Sequence, residues 1–170
     1  VRSTMARYMA KEVLEKVLEA GEGALEATTH EATVLFSDIR GFTSIAEMLG
    51  SHKTVAMLND YFSDMVEVIF NHSGVLDKYI GDAIMAVFGA PVTNPYDADN
   101  ALIVATEMMA ALRDFNQRDA AGPTPISIRI GLSTGEVVAG TIGSARRMEY
   151  TVIGDTVNMA ARLEAANKFY

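Results

Sequence analysis

The chain has 170 residues, enough for one domain with its own core, and its formal net charge is −8. This acidic balance argues against nucleic acid as a partner, because gripping a phosphate backbone needs a basic surface, but local groups can still hold one metal-bound nucleotide. The sequence has no cysteine, which excludes disulfides and thiolate metal sites and fits a cytoplasmic protein, and no apolar run is long enough to span a bilayer.

The first predicted element is a helix through the segment MARYMAKEVLEKVLEA, capped by Ser3 or Thr4 and ended by Gly21. One side of this helix is an apolar stripe made of Met5, Met9, Val13, Leu14, Val17 and Leu18. Such a stripe pairs with a copy of itself or packs onto the domain, and both arrangements remain open. Because the first residue is Val1 rather than Met, we expect the chain to come from a longer protein.

The next elements are a strand, two helices and a strand pair. After the linker-like stretch GEGALEATTHE, the run ATVLF predicts a short buried strand, and a helix is expected from Phe42 to Leu49. A longer helix follows and ends near the segment NHSG. Its apolar face consists of Leu58, Phe62, Met65 and Ile69. The runs VLDKYI and AIMAVF predict two strands, and Gly81-Asp82 between them predicts a two-residue hairpin turn.

The second half of the chain predicts a long helix, further strands and a closing helix. The long helix follows the loop APVTNPYDAD, and its apolar face consists of Ala98, Ala101, Leu102, Ala105, Met109 and Leu112. The segment ISIRIGLSTG predicts a strand, EVVAGTIG another strand, RMEYTVIG a short extended piece and DTVNMAARLEAA a helix. The first of these strands places on one face Ile126, Ile128, Ile130 and Leu132. This order predicts an α+β fold, ferredoxin-like or palm-type, with helices packed on one face of a mostly antiparallel sheet.

Two aspartates stand at predicted strand ends. Asp38 follows the run ATVLF, and Asp82 lies in the hairpin turn. Each has an ordinary explanation, because Asp38 could cap the next helix and Asp82 could be a turn residue. If their strands are neighbours, however, the carboxylates converge and repel one another unless a cation neutralises them. One or two carboxylates together with substrate phosphates are the ligands that Mg²⁺ typically takes.

A phosphate cradle is predicted beside these aspartates, at Gly41, Phe42 and Thr43. Backbone N–H groups at a helix start bind anions, and a glycine lets a ligand approach closely.

Near the end of the chain, Asn158 and Arg162 are four residues apart and share a helical face. An arginine at that spacing is often an ordinary surface residue, so the spacing alone leaves its role open.

Four segments resemble the catalytic domain of class III adenylyl and guanylyl cyclases, and within it the bacterial, soluble-cyclase-like adenylyl cyclases: FSDIRGFT, DKYIGDAIMAVFGAP, GEVVAGTIGS and RRMEYTVIGDTVNMAARLE. The resemblance covers the chain from about Thr33 to its end, with the motifs in the family's order. It implies a signalling helix over residues 1–22, a catalytic domain over residues 23–170 and an upstream sensor in the same chain. Because family members continue through further strands and a second phosphate-contacting lysine, we expect the C-terminal part of the domain to be missing.

The resemblance assigns roles to the metal and purine residues. Asp38, Asp82 and the carbonyl group of Ile39 would hold two Mg²⁺ or Mn²⁺ ions per site. Lys78 and Thr151 match the purine-selecting positions, where a lysine donates to N1 of adenine and a hydroxyl accepts from its amino group. Both positions imply ATP rather than GTP. Threonine at the second position is also associated with stimulation by bicarbonate, which we expect here.

The resemblance also implies the reaction. ATP becomes 3′,5′-cyclic AMP and pyrophosphate by attack of the ribose 3′-oxygen on the α-phosphate, assisted by two metal ions. Asn158 would orient the ribose, and Arg162 would stabilise charge on the α-phosphate. Either Arg146 or Arg147 matches a contact to the triphosphate. The general base is Asp38, a water molecule or the substrate itself.

A head-to-tail homodimer with two shared sites is the assembly that the resemblance implies. One protomer would supply the metal aspartates and the contact from Arg146 or Arg147, and the other would supply the purine-selecting pair with Asn158 and Arg162.

A diguanylate cyclase is disfavoured because the turn is YIGDAI rather than GG(D/E)EF, and a guanylyl cyclase conflicts with Lys78. The alternative from another class is a non-catalytic dimerisation or regulatory module, which would usually have lost metal or transition-state residues.

Overall fold

The computed structural model describes residues 11–21, 26–118, 125–144 and 146–169. Its elements, in chain order, are helix α1 Lys11–Ala20, strand β1 Thr28–Ile39, helices α2 Phe42–Leu49 and α3 Ser51–Asn71, strands β2 Val75–Ile80 and β3 Ala83–Phe88, helix α4 Asp97–Asn116, strands β4 Ile128–Ser144 and β5 Arg147–Ile153, and helix α5 Asp155–Ala166. From β1 onward this is the predicted order of strands and helices. Among these helices, none is long and apolar enough to cross a membrane.

The five strands form one antiparallel sheet in the order β2-β3-β1-β4-β5, which confirms the predicted α+β class. β1 lies at the centre and pairs with β4 along its whole length, from Thr28 opposite Ala139 to Ile39 opposite Ile128. Two boundaries differ from the prediction. β1 begins before the run ATVLF, and the segments ISIRIG and EVVAGTIG, predicted as separate strands, form the single strand β4.

The longer strands follow from backbone pairing, because a β-ladder satisfies N–H and C=O groups whatever side chains they carry. Pairing with β4 therefore draws the polar residues at the start of β1 into the strand. The glycines within β4 mark places of close approach. A Cβ atom on Gly131 would lie 2.3 Å from the backbone nitrogen of Glu164 in α5, and one on Gly140 would lie 2.5 Å from the Cα atom of Ala27.

Both faces of the sheet are covered. The first face packs against α3 and α4, and its fully buried side chains include Leu35, Tyr61, Ile84, Phe88 and Phe115. The second face carries a smaller cluster that includes Val34, Met85, Val87, Val137 and Ala160. Since Ala160 belongs to α5, the expectation that the helices share one face is wrong for this helix. The continuous apolar runs of β1 and β3 bury side chains on both faces, and such strands need cover on each side.

The buried face of α4 differs from the predicted one. Ala101 and Leu112 are buried as expected, but Leu102 and Met109 are 61% and 43% exposed. The buried positions are Asp97, Ala101, Val104, Met108, Leu112 and Phe115. Because nearly every residue between Ala101 and Leu112 is apolar, the spacing alone fits two helical phases equally well, and packing against the sheet selects one of them.

Helix α1 packs onto the domain through part of its apolar stripe. Leu14 and Val17 are only 4% and 3% exposed, whereas Leu18 is 42% exposed. Burial raises the pKa of Asp97 and the charge of Lys16 opposes this effect, which places Lys16 near the start of α4. Packing within the chain is therefore observed for this end of the stripe. Met5 and Met9, which were predicted to belong to the same stripe, lie outside the described residues.

Candidate active site

Asp38 lies at the end of β1, directly opposite Arg129 in β4. The guanidinium group of Arg129 forms a two-pronged ion pair with it, with Nε donating to Oδ1 at 2.9 Å and the second nitrogen donating to Oδ2 at 2.8 Å. Such bidentate pairs are among the stronger hydrogen-bonded contacts in proteins. Asp38 therefore does not cap α2, and the start of that helix has no side-chain cap.

Asp82 occupies the second position of the two-residue turn between β2 and β3. Gly81 precedes it with φ +62°, a conformation that glycine adopts without steric cost. The turn directs Asp82 towards β1, where its Oδ2 atom accepts a hydrogen bond of 2.9 Å from the backbone N–H of Ile39. Asp82 thus contacts the residue that follows Asp38, and the structure brings the two predicted metal aspartates to the same edge of the sheet.

A buried phenol lies beneath these carboxylates. Tyr61 of α3 has no solvent exposure. Burial raises the pKa of Tyr61 well above its usual value, and the negative charges of Asp82 and Asp38 raise it further. The phenol therefore remains neutral in this acidic surrounding.

Helix α5 adds a third carboxylate from the second face of the sheet. Glu164 Oε1 lies 3.0 Å from Arg129 Nε, but the single hydrogen of that nitrogen is directed at Asp38, so this oxygen receives no well-aligned hydrogen bond. Burial, followed by the hydrogen bond and charge of Asp38, raises the pKa of Glu164 to about 7, although Arg129 opposes the shift. Sequence reasoning missed both Arg129 and Glu164. The one available signal was a lone arginine within the apolar segment ISIRIG.

The donor set at this edge suits a hard divalent cation that also binds phosphate. It consists of the Asp38 and Asp82 carboxylates with the backbone carbonyl of Ile39 beside them. Across the described part of the chain, no group of three or more histidine, aspartate or glutamate side chains could hold a metal ion by itself. Because Mg²⁺ typically takes one or two carboxylates and completes its coordination with water and substrate phosphates, the smaller set is sufficient.

Backbone N–H groups border the same edge. Gly41 adopts the left-handed conformation with φ +65° immediately before α2, and a Cβ atom there would meet nothing within 4 Å. Gly41 and Thr43 are exposed, and Phe42 packs partly against the larger core. The first turn of α2 is thus exposed, and the anion site predicted there stays a prediction.

The predicted purine-selecting residues come from the two outer strands of the sheet, Lys78 from β2 and Thr151 from β5. A residue that sequence reasoning missed, Asp77, joins them. Thr151 Oγ1 lies 3.0 and 2.9 Å from the two carboxylate oxygens of Asp77, and Lys78 Nζ lies 3.6 Å from Oδ1. Burial raises the pKa of Asp77, while the hydrogen bond from Thr151 and the charge of Lys78 oppose the shift.

The remaining predicted residues are exposed. Asn158 and Arg162 lie on the outer side of α5, away from the Ala160 side that packs on the sheet. Arg146 and Arg147 lie at the turn between β4 and β5, and Arg147 pairs with Glu149 at 2.9 Å. These arginines and Arg129, the partner of Asp38, stand near opposite ends of β4. The contact of Arg146 or Arg147 with the triphosphate stays a prediction.

A cavity of 560 Å³ between α4 and the start of β4 borders this region without containing the predicted site residues. Its lining includes Arg40, Arg113 and Arg129. The cavity therefore adjoins the sheet edge that carries Asp38 through Arg129 and through Arg40, which follows Ile39.

Known proteins of similar sequence agree with this arrangement of Asp38, Asp82, the start of α2 and the predicted purine-selecting residues. The model of the adenylate and guanylate cyclase catalytic domain matches residues 25–168. The chain belongs to this family.

Curated cyclases of bacteria are similar over most of the chain. Adenylate cyclase 1 of Rhizobium meliloti is 38% identical over 169 residues, which are 98% of this chain and 25% of the relative. The adenylate cyclase of Anabaena cylindrica is 43% identical over 149 residues, 85% of this chain and 29% of the relative. The chain therefore spans between 25% and 29% of the length of these cyclases.

Solved cyclase structures share the fold. The adenylyl cyclase CyaB from P. aeruginosa has a TM-score of 0.79 and 39% identity, covering 84% of this chain and 74% of that one. The guanylyl cyclase Cya2 has a TM-score of 0.78 and 42% identity, covering 83% of this chain and 72% of that one. Cyclases of both kinds are thus equally similar in fold, so the choice between ATP and GTP depends on individual side chains.

Proposed function

We propose that this chain is the catalytic domain of an adenylate cyclase, which converts ATP into 3′,5′-cyclic AMP and pyrophosphate. The observation that carries the proposal is the hydrogen bond from Ile39 N–H to Asp82, which joins two carboxylate-bearing strand ends beside the open start of α2. A cyclase-family domain with this edge has a place for a metal-bound triphosphate. In a longer protein, the domain is the cytoplasmic output of an upstream sensor.

Two Mg²⁺ or Mn²⁺ ions per site would be held by Asp38, Asp82 and the carbonyl of Ile39. Bound there, they supply positive charge to the triphosphate and make the ribose 3′-hydroxyl more acidic. The N–H groups from Gly41 to Thr43 bind phosphate oxygens. Either Arg146 or Arg147 of the same protomer contacts the triphosphate, while Arg129 holds the Asp38 carboxylate.

The chemical step forms one bond and breaks another at the α-phosphate. The ribose 3′-oxygen bonds to phosphorus as the bond to the pyrophosphate oxygen breaks, and the hydroxyl proton passes to Asp38, to water or to the substrate itself. Asn158 orients the ribose. Arg162 stabilises the negative charge that grows on the α-phosphate in the transition state.

ATP is the preferred nucleotide in this proposal because of Lys78 and Thr151. The Lys78 ammonium is only a donor, which suits N1 of adenine, an acceptor, and opposes N1 of guanine, which carries a hydrogen. The Thr151 oxygen accepts from the 6-amino group of adenine. Their common contact with Asp77 supports a shared base-binding role, because it brings together side chains from the two outer strands of the sheet.

The active unit in this proposal is a homodimer with two shared sites. Within one chain, Asp38 pairs with the start of β4 at Arg129, whereas Thr151 pairs with Gly140 much farther along the same strand. One protomer supplies the aspartates, and its partner supplies the purine pair with Asn158 and Arg162. The surface around these residues carries exposed apolar side chains, which favours a protein interface there: Ile142, Ile153, Met159 and Leu163.

The test is cyclic nucleotide production by the full-length protein with ATP or GTP, first with Mg²⁺ and then with Mn²⁺. We expect cyclic AMP, with kcat/KM for ATP exceeding that for GTP. If GTP is the better substrate, the proposed function is wrong in its purine. If a dimer forms but neither nucleotide is cyclised with either metal, the chain is instead a non-catalytic dimerisation or regulatory module.

A further inference from the structure

Asp77 contacts donors only, among the polar groups that the described residues place around it. The Thr151 hydroxyl lies against both of its oxygens, Val152 N–H donates to Oδ2 at 3.3 Å, and the Lys78 ammonium lies 3.6 Å from Oδ1. The side chain is 3% exposed. The Thr151 oxygen is the one neighbour that could accept from a protonated carboxyl, whereas Val152 N–H and the Lys78 ammonium can only donate, so the arrangement fits an ionised Asp77.

A β-bulge explains why two successive residues act together. Leu76 pairs with Ala86 and Lys78 pairs with the next residue, Met85, so Asp77 is the extra residue of β2. In a regular strand successive side chains point to opposite faces, which would turn Lys78 away from Asp77. The bulge removes this alternation, and the ammonium and the carboxylate lie on the same side of the strand.

The contact with Asp77 fixes the direction of the Thr151 hydroxyl. A hydroxyl group has one proton to donate and two lone pairs to accept with. Because the proton of Thr151 is donated to the carboxylate, only lone pairs remain for a nucleotide base. Adenine presents a 6-amino donor to such an oxygen. Guanine presents a 6-keto oxygen instead, and no hydrogen would lie between this oxygen and the lone pairs of Thr151, so the two oxygens would repel each other.

We propose that Asp77 is the residue that makes Thr151 an acceptor and so sets selectivity for adenine over guanine. This inference rests on the proposed adenylate cyclase function. Asp77 acts through Thr151 and Lys78 and does not touch the base, so it is a positioning residue. Without its carboxylate, the Thr151 hydroxyl is free to rotate and to donate to the 6-keto group of guanine.

The main test compares Asp77→Asn with the wild type in the full-length protein. Asparagine replaces one carboxylate oxygen by an NH2 donor and weakens the hold on the threonine proton, so we expect the ratio of kcat/KM for ATP to that for GTP to fall by roughly tenfold. The matched control is Glu149→Gln, because Glu149 Oε2 also lies near Lys78, at 3.8 Å, but is exposed. The control ratio should stay within about twofold of wild type.

A double variant shows whether the effect passes through Thr151. Thr151→Val removes the hydroxyl, so Asp77→Asn added to it should lower the ratio no further. A further loss of the same size would overturn the assignment to the Thr151 hydroxyl. An equal fall in Asp77→Asn and Glu149→Gln would also overturn it, since only the charge around Lys78 would then matter. A folded Asp77→Asn protein with the wild-type ratio would overturn the inference outright.

The wild-type protein allows a test that does not depend on folding of an Asp77 variant. N6-methyladenosine triphosphate and 6-methoxypurine riboside triphosphate both keep N1 as an acceptor and carry a methylated group at position 6, but only the first has a hydrogen there. Competition against a fluorescent ATP analogue should show roughly tenfold tighter binding of the first. Equal binding would overturn the inference while leaving the cyclase function intact. A protein that neither binds nor cyclises ATP would overturn the proposed function, and the inference with it.

Discussion

At the residue scale, each site carboxylate has its own partner within the chain. Arg129 holds both oxygens of Asp38, and Ile39 N–H holds Asp82. Glu164 stands beside the same arginine without a well-aligned hydrogen bond. The Arg129 guanidinium thus lies beside two carboxylates, those of Asp38 and Glu164. A cation that binds Asp38 would therefore change the electrostatic surroundings of Arg129 and Glu164 as well.

Replacing either metal aspartate should abolish turnover while the fold persists. We expect Asp38→Asn and Asp82→Asn each to lower kcat for cyclic AMP formation by a factor on the order of a hundred or more, because the amide cannot neutralise a bound cation. Asp60→Asn, at an exposed position of α3, is the matched control and should keep wild-type activity. Melting temperatures measured alongside separate lost catalysis from lost folding. Near wild-type activity in either site variant would contradict the metal assignment.

Glu164→Gln should change how stability depends on pH. The pKa of Glu164 is raised from the usual 4.5 to about 7 in the folded protein, first by burial. The folded state therefore binds this proton more tightly than the unfolded state, so an ionised Glu164 costs stability. The cost is absent below the unfolded pKa and is fully present once the pH exceeds the folded pKa. Relative to the variant, the wild type should lose at most about 3 kcal/mol of unfolding free energy between about pH 4 and pH 8.

Thermal unfolding in EDTA across this pH range measures the difference between Glu164→Gln and wild type. Glu47→Gln, at an exposed position of α2, is the control and should follow the wild-type curve. Parallel curves for Glu164→Gln and wild type would show that Glu164 titrates alike in the folded and unfolded states.

At the scale of elements, the site depends on where strands turn and where helices cross them. The β2–β3 turn directs Asp82 to the end of β1, and the bulge in β2 places Asp77 beside Lys78. Helix α5 approaches β4 closely at Gly131, which brings Glu164 to Arg129. Small backbone features, rather than bulky packing, therefore position the polar groups.

Gly81→Ala should lower kcat by more than its loss of folding stability accounts for. Gly81 has φ +62° with no atom within 4 Å of an added Cβ, so the substitution costs about 1–2 kcal/mol of backbone strain and no steric clash. Relief of that strain moves Asp82 away from Ile39. Gly50→Ala is the control, because Gly50 also has a positive φ, +78°, with equally open surroundings, at the junction of α2 and α3.

The measurement for this pair of glycine variants is kcat beside the free energy of unfolding. Both variants should lose stability, and only Gly81→Ala should lose most of its kcat. Equal activity in the two variants would mean that the turn does not position a catalytic ligand.

At the scale of the whole molecule, the metal edge and the purine pair occupy different stretches of one sheet. Asn158 and Arg162 project from the exposed side of α5, where this chain does not enclose a nucleotide. Apolar side chains surround them, including Met159 and Leu163. A second copy of the chain would cover this surface and complete both sites by symmetry.

Mixing two inactive variants tests this architecture. Asp38→Asn removes the aspartate side of each site, and Arg162→Ala removes the phosphate-stabilising side. Each mixed dimer would have one site with both defects and one with neither. With equal amounts and free exchange, half the dimers are mixed and half of their sites are intact, so activity should return to about a quarter of wild type.

Subunit exchange must be shown independently, by co-purification of differently tagged chains. If mixed dimers form and the mixture remains inactive, each site belongs to a single chain and the proposed assembly is wrong. Each variant alone serves as the control and should stay inactive at every protein concentration.

The sequence alone determined features that depend on neighbouring residues. The bounds of α2 and β3 and the hairpin turn at Gly81-Asp82 follow from local pattern and turn chemistry, and the structure has them as predicted. β1 is also found as a buried strand, although it extends beyond the predicted run ATVLF. The class of fold follows from the order of these elements. The positions of Asp38 near the end of a strand and of Asp82 within a turn were likewise visible, because they need only the reading of short segments.

Tertiary structure alone decided which distant residues meet. Arg129 reaches Asp38 because β1 and β4 pair in one particular register, and Asp77 reaches Thr151 because the two outer strands approach each other. The buried phase of α4 and the position of α5 on the second face were likewise set by packing. Hydrophobic periodicity shows which face of a segment is buried, but it does not show which other element covers that face. The reason is that the hydrophobic effect is non-directional, so the covering element is decided only when the sheet assembles.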